Sequence, residues 1–412
     1  MKARWRPLLE GELASRAREA VDSIAAALAT ESARDAADRA LLFGYLALTG
    51  GAPDDANHYA ERSGQLLDVA FDALATTPMG PALYGGFSGV AWVAEHLAGK
   101  FDETVEGDGG EEIDEILEET IAAPWNGSYD LISGLTGFGV IALERLPRPS
   151  AIRCLEAIVD RLTETAEPSG DGLTWFTSPD LLPMTRRERF PHGYYDLGVA
   201  HGVPGVIALL SAAYCAAIRP EQARGLIEGA VRWLLSQRLR VSGASCYPAM
   251  VAPDVSARSS RLAWCYGDAG VAATLLHAAR AVGVEEWERA ALEIATHAAM
   301  TELEESGVKD AGLCHGAFGL AHIYNRLFQA GGGDVFAVAA RRWYGVGLDM
   351  RAPGRGIAGF EEWALDSNGS ARSGAEFLTG ATGIGLALLA GITSVPPMWD
   401  RLLLVSIPPG GD

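Results

Sequence analysis

Gly202-Val203-Pro204-Gly205, followed by the apolar run Val206 to Leu210, decides how this chain folds, because the pattern recurs. The same Gly-x-x-Gly start stands at Gly86-Phe87-Ser88-Gly89, Gly134-Leu135-Thr136-Gly137, Gly267-Asp268-Ala269-Gly270, Gly316-Ala317-Phe318-Gly319 and Gly380-Ala381-Thr382-Gly383. Successive starts lie 48, 68, 65, 49 and 64 residues apart, and an apolar segment follows each. One such tetrapeptide carries no information, but six in series mark a structural repeat. Glycine makes up 49 of the 412 residues without any low-complexity tract. That excess over the roughly 7% of average proteins belongs to turns and close backbone approaches, including turns with positive φ.

The segments after the glycine pairs, such as Val140 to Leu143, Val271 to Leu276 and Ile384 to Leu389, are apolar on all sides, as helices buried all round must be. Between them lie amphipathic stretches with charged faces: Ser15 to Ala29, Glu61 to Leu74, Ala151 to Thr165, Glu221 to Gln237 and Glu285 to Leu303. Leu41 to Leu48 is the candidate for a seventh inner helix, without the glycine start. The expected fold is all-α, an α/α toroid: a double ring of inner and outer helices in about seven hairpins, forming a single domain over 1–412. Two stretches break the rhythm. Glu167 to Tyr195, with the strand-like Gly172 to Thr177, and the Gly-rich, irregular Trp343 to Trp363 both read as candidate insertions from the toroid.

The formal charge of −20, from 53 acidic and 33 basic residues, argues against nucleic-acid and anionic-membrane partners. The densest acidic stretch, Asp102 to Glu119, reads as a solvated loop and helix start, with a docking surface as the alternative. The longest apolar segment, Gly205 to Ile218, is too short to cross a bilayer, and the N-terminal residues lack a signal-peptide core. A cytoplasmic protein is expected. Five cysteines, an odd number, do not suggest a disulfide framework.

If every inner helix starts at a glycine pair, all their N-termini gather at one mouth, where N–H groups and dipoles attract anions. The residues just ahead of the pairs then converge there: Tyr129-Asp130, His201, Cys265-Tyr266 and Cys314-His315. Two thiolates and an imidazole suit Zn²⁺, and three protein ligands leave a fourth position open, the mark of a catalytic site. Cys265, Cys314 and His315 are therefore candidate metal ligands. His201 is placed to move protons, its alternative being a helix cap. Asp130 is a candidate partner or a simple N-cap, and Arg261, four residues before Cys265, is a candidate anion holder or surface ion pair. Cys154 and Cys215 read as packing residues of an outer and an inner helix, and Cys246 as a structural residue among strand-like or loop sequence. His58, His96, His192, His277, His297 and His322 lie off the glycine starts and read as core or surface.

Three strings, Ala200-His-Gly-Val-Pro-Gly205, Ala263-Trp-Cys-Tyr-Gly267 and Cys314-His-Gly-Ala-Phe-Gly319, resemble the signature motifs of the lanthionine synthetase C-like family. Tyr129-Asp130 stands ahead of them and Phe377-Leu-Thr-Gly380 behind, in the family's order, and the resemblance runs from about Gly85 to Ala390. It implies an α/α toroid and a zinc-dependent cyclase. Such an enzyme adds peptide cysteine thiols to dehydroalanine or dehydrobutyrine, closing (methyl)lanthionine rings. Carried over motif by motif, Cys265, Cys314 and His315 hold one zinc ion, whose fourth position takes water or a substrate thiolate. His201 and Asp130 match the acid–base residues, and Arg261 and Tyr266 line the site.

The length resembles the stand-alone class I cyclases, whose partners are a dehydrated precursor peptide, a dehydratase and an exporter. The Glu167 to Tyr195 region falls where some members carry an insertion proposed to grip the leader peptide. Open alternatives are a family member that adds glutathione to dehydroamino acids and a non-catalytic peptide-binding toroid. A glycoside hydrolase would need paired acids at the mouth, where only Asp130 qualifies.

Overall fold

In the computed structural model, residues 5–29, 35–49, 53–101, 111–122, 124–240, 243–253, 255–363 and 372–408 are described. The first half of the chain forms α1 (Gly11–Leu28), α2 (Ala36–Leu48), α3 (Pro53–Thr76), α4 (Phe87–Phe101), α5 (Glu111–Ala122), α6 (Leu135–Glu144) and α7 (Pro149–Thr165). A mixed segment follows: β1 (Glu167–Ser169), β2 (Gly172–Thr174), β3 (Phe176–Thr177), α8 (Met184–Arg189) and β4 (Tyr194–Asp196). The remainder comprises α9 (Val203–Cys215), α10 (Pro220–Ser236), β5 (Met250–Val251), α11 (Asp268–Val282), α12 (Glu285–Met300), α13 (Leu303–Ser306), α14 (Ala317–Gln329), α15 (Asp334–Asp349) and α16 (Ala381–Ile392).

The inner helices close a ring. Contacts run α2–α4–α6–α9–α11–α14–α16 and back to α2. Outside them α3 backs α2, α7 backs α6, α10 backs α9, α12 backs α11 and α15 backs α14, while α1 covers α16. The fold is an α/α toroid. Burial follows the division: every residue of α16 is buried, whereas α7 buries one stripe of Ala151, Cys154, Leu155, Ile158, Val159 and Leu162.

The glycine pairs have a specific cause. Before α6 the chain folds back so that Leu135, Thr136 and Gly137 donate their N–H groups to the carbonyls of Ser128, Tyr129 and Asp130 at 3.1–3.2 Å. Ala317, Phe318 and Gly319 do the same to Asp310, Ala311 and Gly312 before α14. Each buried N–H left unpaired would cost about 1–3 kcal/mol, so this fold-back replaces the side-chain cap that the glycine N-caps cannot offer. The fold-back brings the preceding backbone against the glycines, and a Cβ on Gly137 or Gly319 would strike the Leu131 or Leu313 carbonyl. Close approach, rather than positive φ, is the requirement; of the twelve repeat glycines only Gly267, at +94°, has the left-handed sign.

The fold-back loops also bond to one another around the mouth: Leu83 and Tyr84 to the Ile132 carbonyl, Leu131 to Ala200, Cys265 to Cys314, and Cys314 to Leu378. All these inner N-termini therefore share one end.

Several expectations change. Glu167 to Tyr195 holds several short strands instead of one. β1 and β2 form a hairpin, while β3, β4 and β5 form an antiparallel sheet that draws Met250–Val251 from far along the chain. The break at Trp175 arises because its buried ring turns inward to donate to the Leu162 carbonyl. The first part of Trp343 to Trp363 is regular helix: Phe336, Ala340, Trp343, Tyr344 and Gly347 bury one face of α15, and Gly347 admits the Phe318 ring. Of the acidic stretch, 102–110 lies outside the described residues. Beyond it, α5 exposes Glu112, Glu115 and Glu119 but buries Asp114, which pairs with Arg145 at 2.7 Å. Among the described residues no helix is long and apolar enough to cross a membrane.

Candidate functional site

The fold-back loops bring Cys265, Cys314 and His315 together, with one donor atom from each within 4.8 Å of the others. The backbone bond from Cys265 to the Cys314 carbonyl, 3.1 Å, locks the two loops side by side. The Cys314 thiol donates to Cys265, which holds the Cys265 sulfur well below an ordinary thiol despite burial, with His315 and Arg261 adding to the effect. The shared proton pushes Cys314 the opposite way, so the two sulfurs titrate as one unit. His315 is raised to about 9, first by Asp310 and then by the Cys265 sulfur. Its Nε2 sits 3.2 Å from Asp310 Oδ2, which leaves Nδ1 for the sulfur side.

On the neighbouring loops, His201 Nδ1 lies 2.6 Å from Asp130 Oδ2, and Asp130 Oδ1 accepts the Ser133 N–H at 2.9 Å. Burial disfavours the imidazolium, but the Asp130 hydrogen bond and charge, with Asp196 behind, outweigh it and raise the pKa of His201. The Tyr266 hydroxyl donates to Asp196 at 3.0 Å, joining the loop of Cys265 to the loop of His201. Asp196 is fully buried, which lifts its carboxyl to about 6 in spite of the His201 charge and the Gly198 N–H. Arg261 is half-buried and its charge acts on both sulfurs.

The structure thus gathers the expected residues into two linked groups, and adds three that the motifs did not single out. Asp310 orients His315. Asp196 anchors Tyr266. Arg186, on α8 of the inserted segment, donates to Tyr194 at 3.2 Å and also reaches Tyr266. Asp196 and Asp310 each stand six residues before a glycine pair, a repeat signal that could have revealed them. Arg186 had no such signal. The inserted sheet touches the site from another side, where Tyr129 and Thr177 hydroxyls meet at 3.2 Å.

The free N–H groups expected at the mouth are largely consumed by the fold-back, so positive charge there comes from Arg261 and the helix dipoles. Clefts of about 630 Å³, lined by Asp310, Phe360 and Trp363, and about 540 Å³, lined by Tyr84, Leu378 and Thr379, flank the cluster.

Among the remaining cysteines, Cys154 is core as expected, whereas Cys215 ends α9 and is exposed, because the helix stops before its last turn is covered. Cys246 is buried beside Asp268 and His297.

A family model described as lanthionine synthetase C-like protein matches residues 40–404. Nisin biosynthesis protein NisC of Lactococcus lactis subsp. lactis is 22% identical over 316 residues, covering 68% of this chain and 73% of that protein. The solved structure of a nisin cyclase superposes with a TM-score of 0.73 at 20% identity, covering 90% of each chain.

Proposed function

The chain belongs to the lanthionine synthetase C-like family, and from that premise we propose a zinc-dependent lanthipeptide cyclase. It adds peptide cysteine thiols to dehydroalanine or dehydrobutyrine and closes (methyl)lanthionine rings. The observation carrying this reading is the convergence of Cys265, Cys314 and His315 beside the His201–Asp130 pair. The name of the relative, a nisin cyclase, agrees with it.

The donor set fits zinc: two sulfurs and one imidazole, the imidazole oriented by a carboxylate through its other nitrogen. When bound, zinc would supply Lewis-acid activation, holding an incoming peptide thiol as its thiolate. Arg261 beside the sulfurs offsets part of the negative charge that gathers there.

Sulfur attack at the β-carbon of the dehydro residue pushes the double-bond electrons towards the carbonyl, and the resulting enolate takes a proton at the α-carbon. Asp130 holds His201 through Nδ1 and keeps its proton to higher pH, so Nε2–H is the donor. Tyr266, fixed by Asp196, lines the site between the two groups. The flanking clefts give a peptide room to present successive rings. Making a dehydro residue from serine or threonine requires loss of water, so in this reading a dehydratase acts upstream.

The test is a metal assay with cyclisation followed by mass spectrometry after thiol alkylation. His201→Ala retains zinc at the mouth and loses cyclisation; Cys314→Ala loses both the mouth zinc and cyclisation. Full ring closure by purified His201→Ala protein overturns the acid assignment. Ring closure without external thiol distinguishes this reading from addition of glutathione.

A further inference from the structure

A second cluster with ligand chemistry is built from residues other than the three at the mouth. Cys246 comes from the segment between α10 and β5, Asp268 is the first residue of α11, and His297 sits in the last turn of α12. Their donor atoms also lie within 4.8 Å of one another. Cys246 Sγ is 3.6 Å from His297 Nδ1, and His297 Nδ1 is 3.3 Å from Asp268 Oδ2. Bonds of 2.0–2.3 Å arranged tetrahedrally place neighbouring donors about 3.3–3.8 Å apart, so both spacings match the edges of such a site.

The cluster is also held in place. Asp268 Oδ1 accepts the Ser245 hydroxyl, and Oδ2 accepts the Cys246 N–H at 2.8 Å, which fixes the carboxylate while leaving it a free lone pair. Asp268 is fully buried and Cys246 nearly so, whereas the His297 side chain is 42% exposed. A metal there would keep one position towards solvent, and the ion could enter from that side. Arg238 lies against the Cys246 sulfur and supplies some compensating charge. A nucleophilic cysteine is the poorer reading, because the buried carboxylate next to the sulfur opposes a bare thiolate.

We propose that Cys246, Asp268 and His297 form a second metal site, taking zinc or another divalent cation that favours sulfur and nitrogen donors. It shares no ligand with the mouth cluster. Its role is independent of whether the protein closes rings.

The experiment measures metal per chain in the full-length protein equilibrated with zinc and, separately, with cobalt. The expected content is about two equivalents for the wild type and about one for His297→Ala, Cys246→Ser or Cys314→Ala, falling to none when Cys314→Ala and His297→Ala are combined. Cobalt-loaded Cys314→Ala should still show a thiolate-to-metal absorption band, and Cys246→Ser should abolish it in that background. His297 is half exposed, so its replacement leaves the helix packing intact and the count interpretable. An unchanged count in His297→Ala, or a metal-free Cys314→Ala protein, overturns the second site. An unchanged count in Cys314→Ala would instead overturn the mouth site.

Discussion

Histidine–carboxylate pairs occur at the mouth and deep within the ring, and the same chemistry has opposite consequences in the two places. At the mouth, His201 is 37% exposed and Asp130 raises its pKa. In the interior, His322 meets Asp400 at 2.7 Å, yet burial outweighs that carboxylate and Arg326 opposes a second positive charge, so its pKa falls. His96, stacked on Trp92 and bonded to Glu144 and Tyr45, is also lowered by burial. A carboxylate makes a proton donor of histidine only where water still reaches the ring. Deeper in, the pair is a polar brace, which in the case of Asp400 also gathers Arg326.

The contrast can be broken most directly at Asp400. Asp400→Ala strands Arg326 and His322 in the core, and should cost about 3–5 kcal/mol of stability in urea unfolding. A loss below about 1 kcal/mol would show that the brace is not needed. Next in size is His277, buried with an unpartnered Nδ1 and pushed down to about 4 by burial alone. Its unfolded value is about 6.5, so the stabilising effect of the neutral ring is present above about 6.5 and is lost as pH falls towards 4. The loss is at most about 3 kcal/mol. His277→Gln should flatten that stretch of the stability–pH curve.

At the mouth the sign reverses. His201 keeps its proton above the ordinary range, so cyclisation that needs the acid form should fall as pH rises through the raised value. Asp130→Asn should lower the rate by about 10²-fold and move that alkaline limb to lower pH. It should leave stability within about 1 kcal/mol, since an asparagine can still accept the Ser133 N–H. An unmoved limb would separate His201 from the proton step. The smallest effect expected is for Tyr266→Phe, which removes the bond to Asp196 and should cost about 1 kcal/mol, a few-fold in rate at unchanged zinc content.

Much of this was legible beforehand at particular residues. The glycine pairs pointed to the inner helices because a close backbone approach tolerates no other side chain, and that demand is written locally. The residues one and two places before them pointed to Cys265, Cys314, His315 and His201. Asp310 and Asp196 were not singled out, although each stands six residues before a glycine pair, because a partner role depends on what a side chain meets; Arg186 carries no repeat signal at all. β5 was equally hidden, since two residues at 250–251 carry no periodicity of their own. The consumption of N–H groups at the mouth was also unreadable, because a fold-back bond is a property of backbone path.

Local composition and spacing by themselves determined that this chain makes a ring of apolar helices inside amphipathic ones, with sulfur and imidazole at repeated positions. Those features follow from periodicity and from the absence of a side chain, both of which act over a few residues. Closure decided the rest: which loop bonds to which, which histidine keeps its proton, and that Cys246 meets His297. Burial and electrostatic pairing depend on neighbours brought from tens or hundreds of residues away, and only the packed ring supplies them.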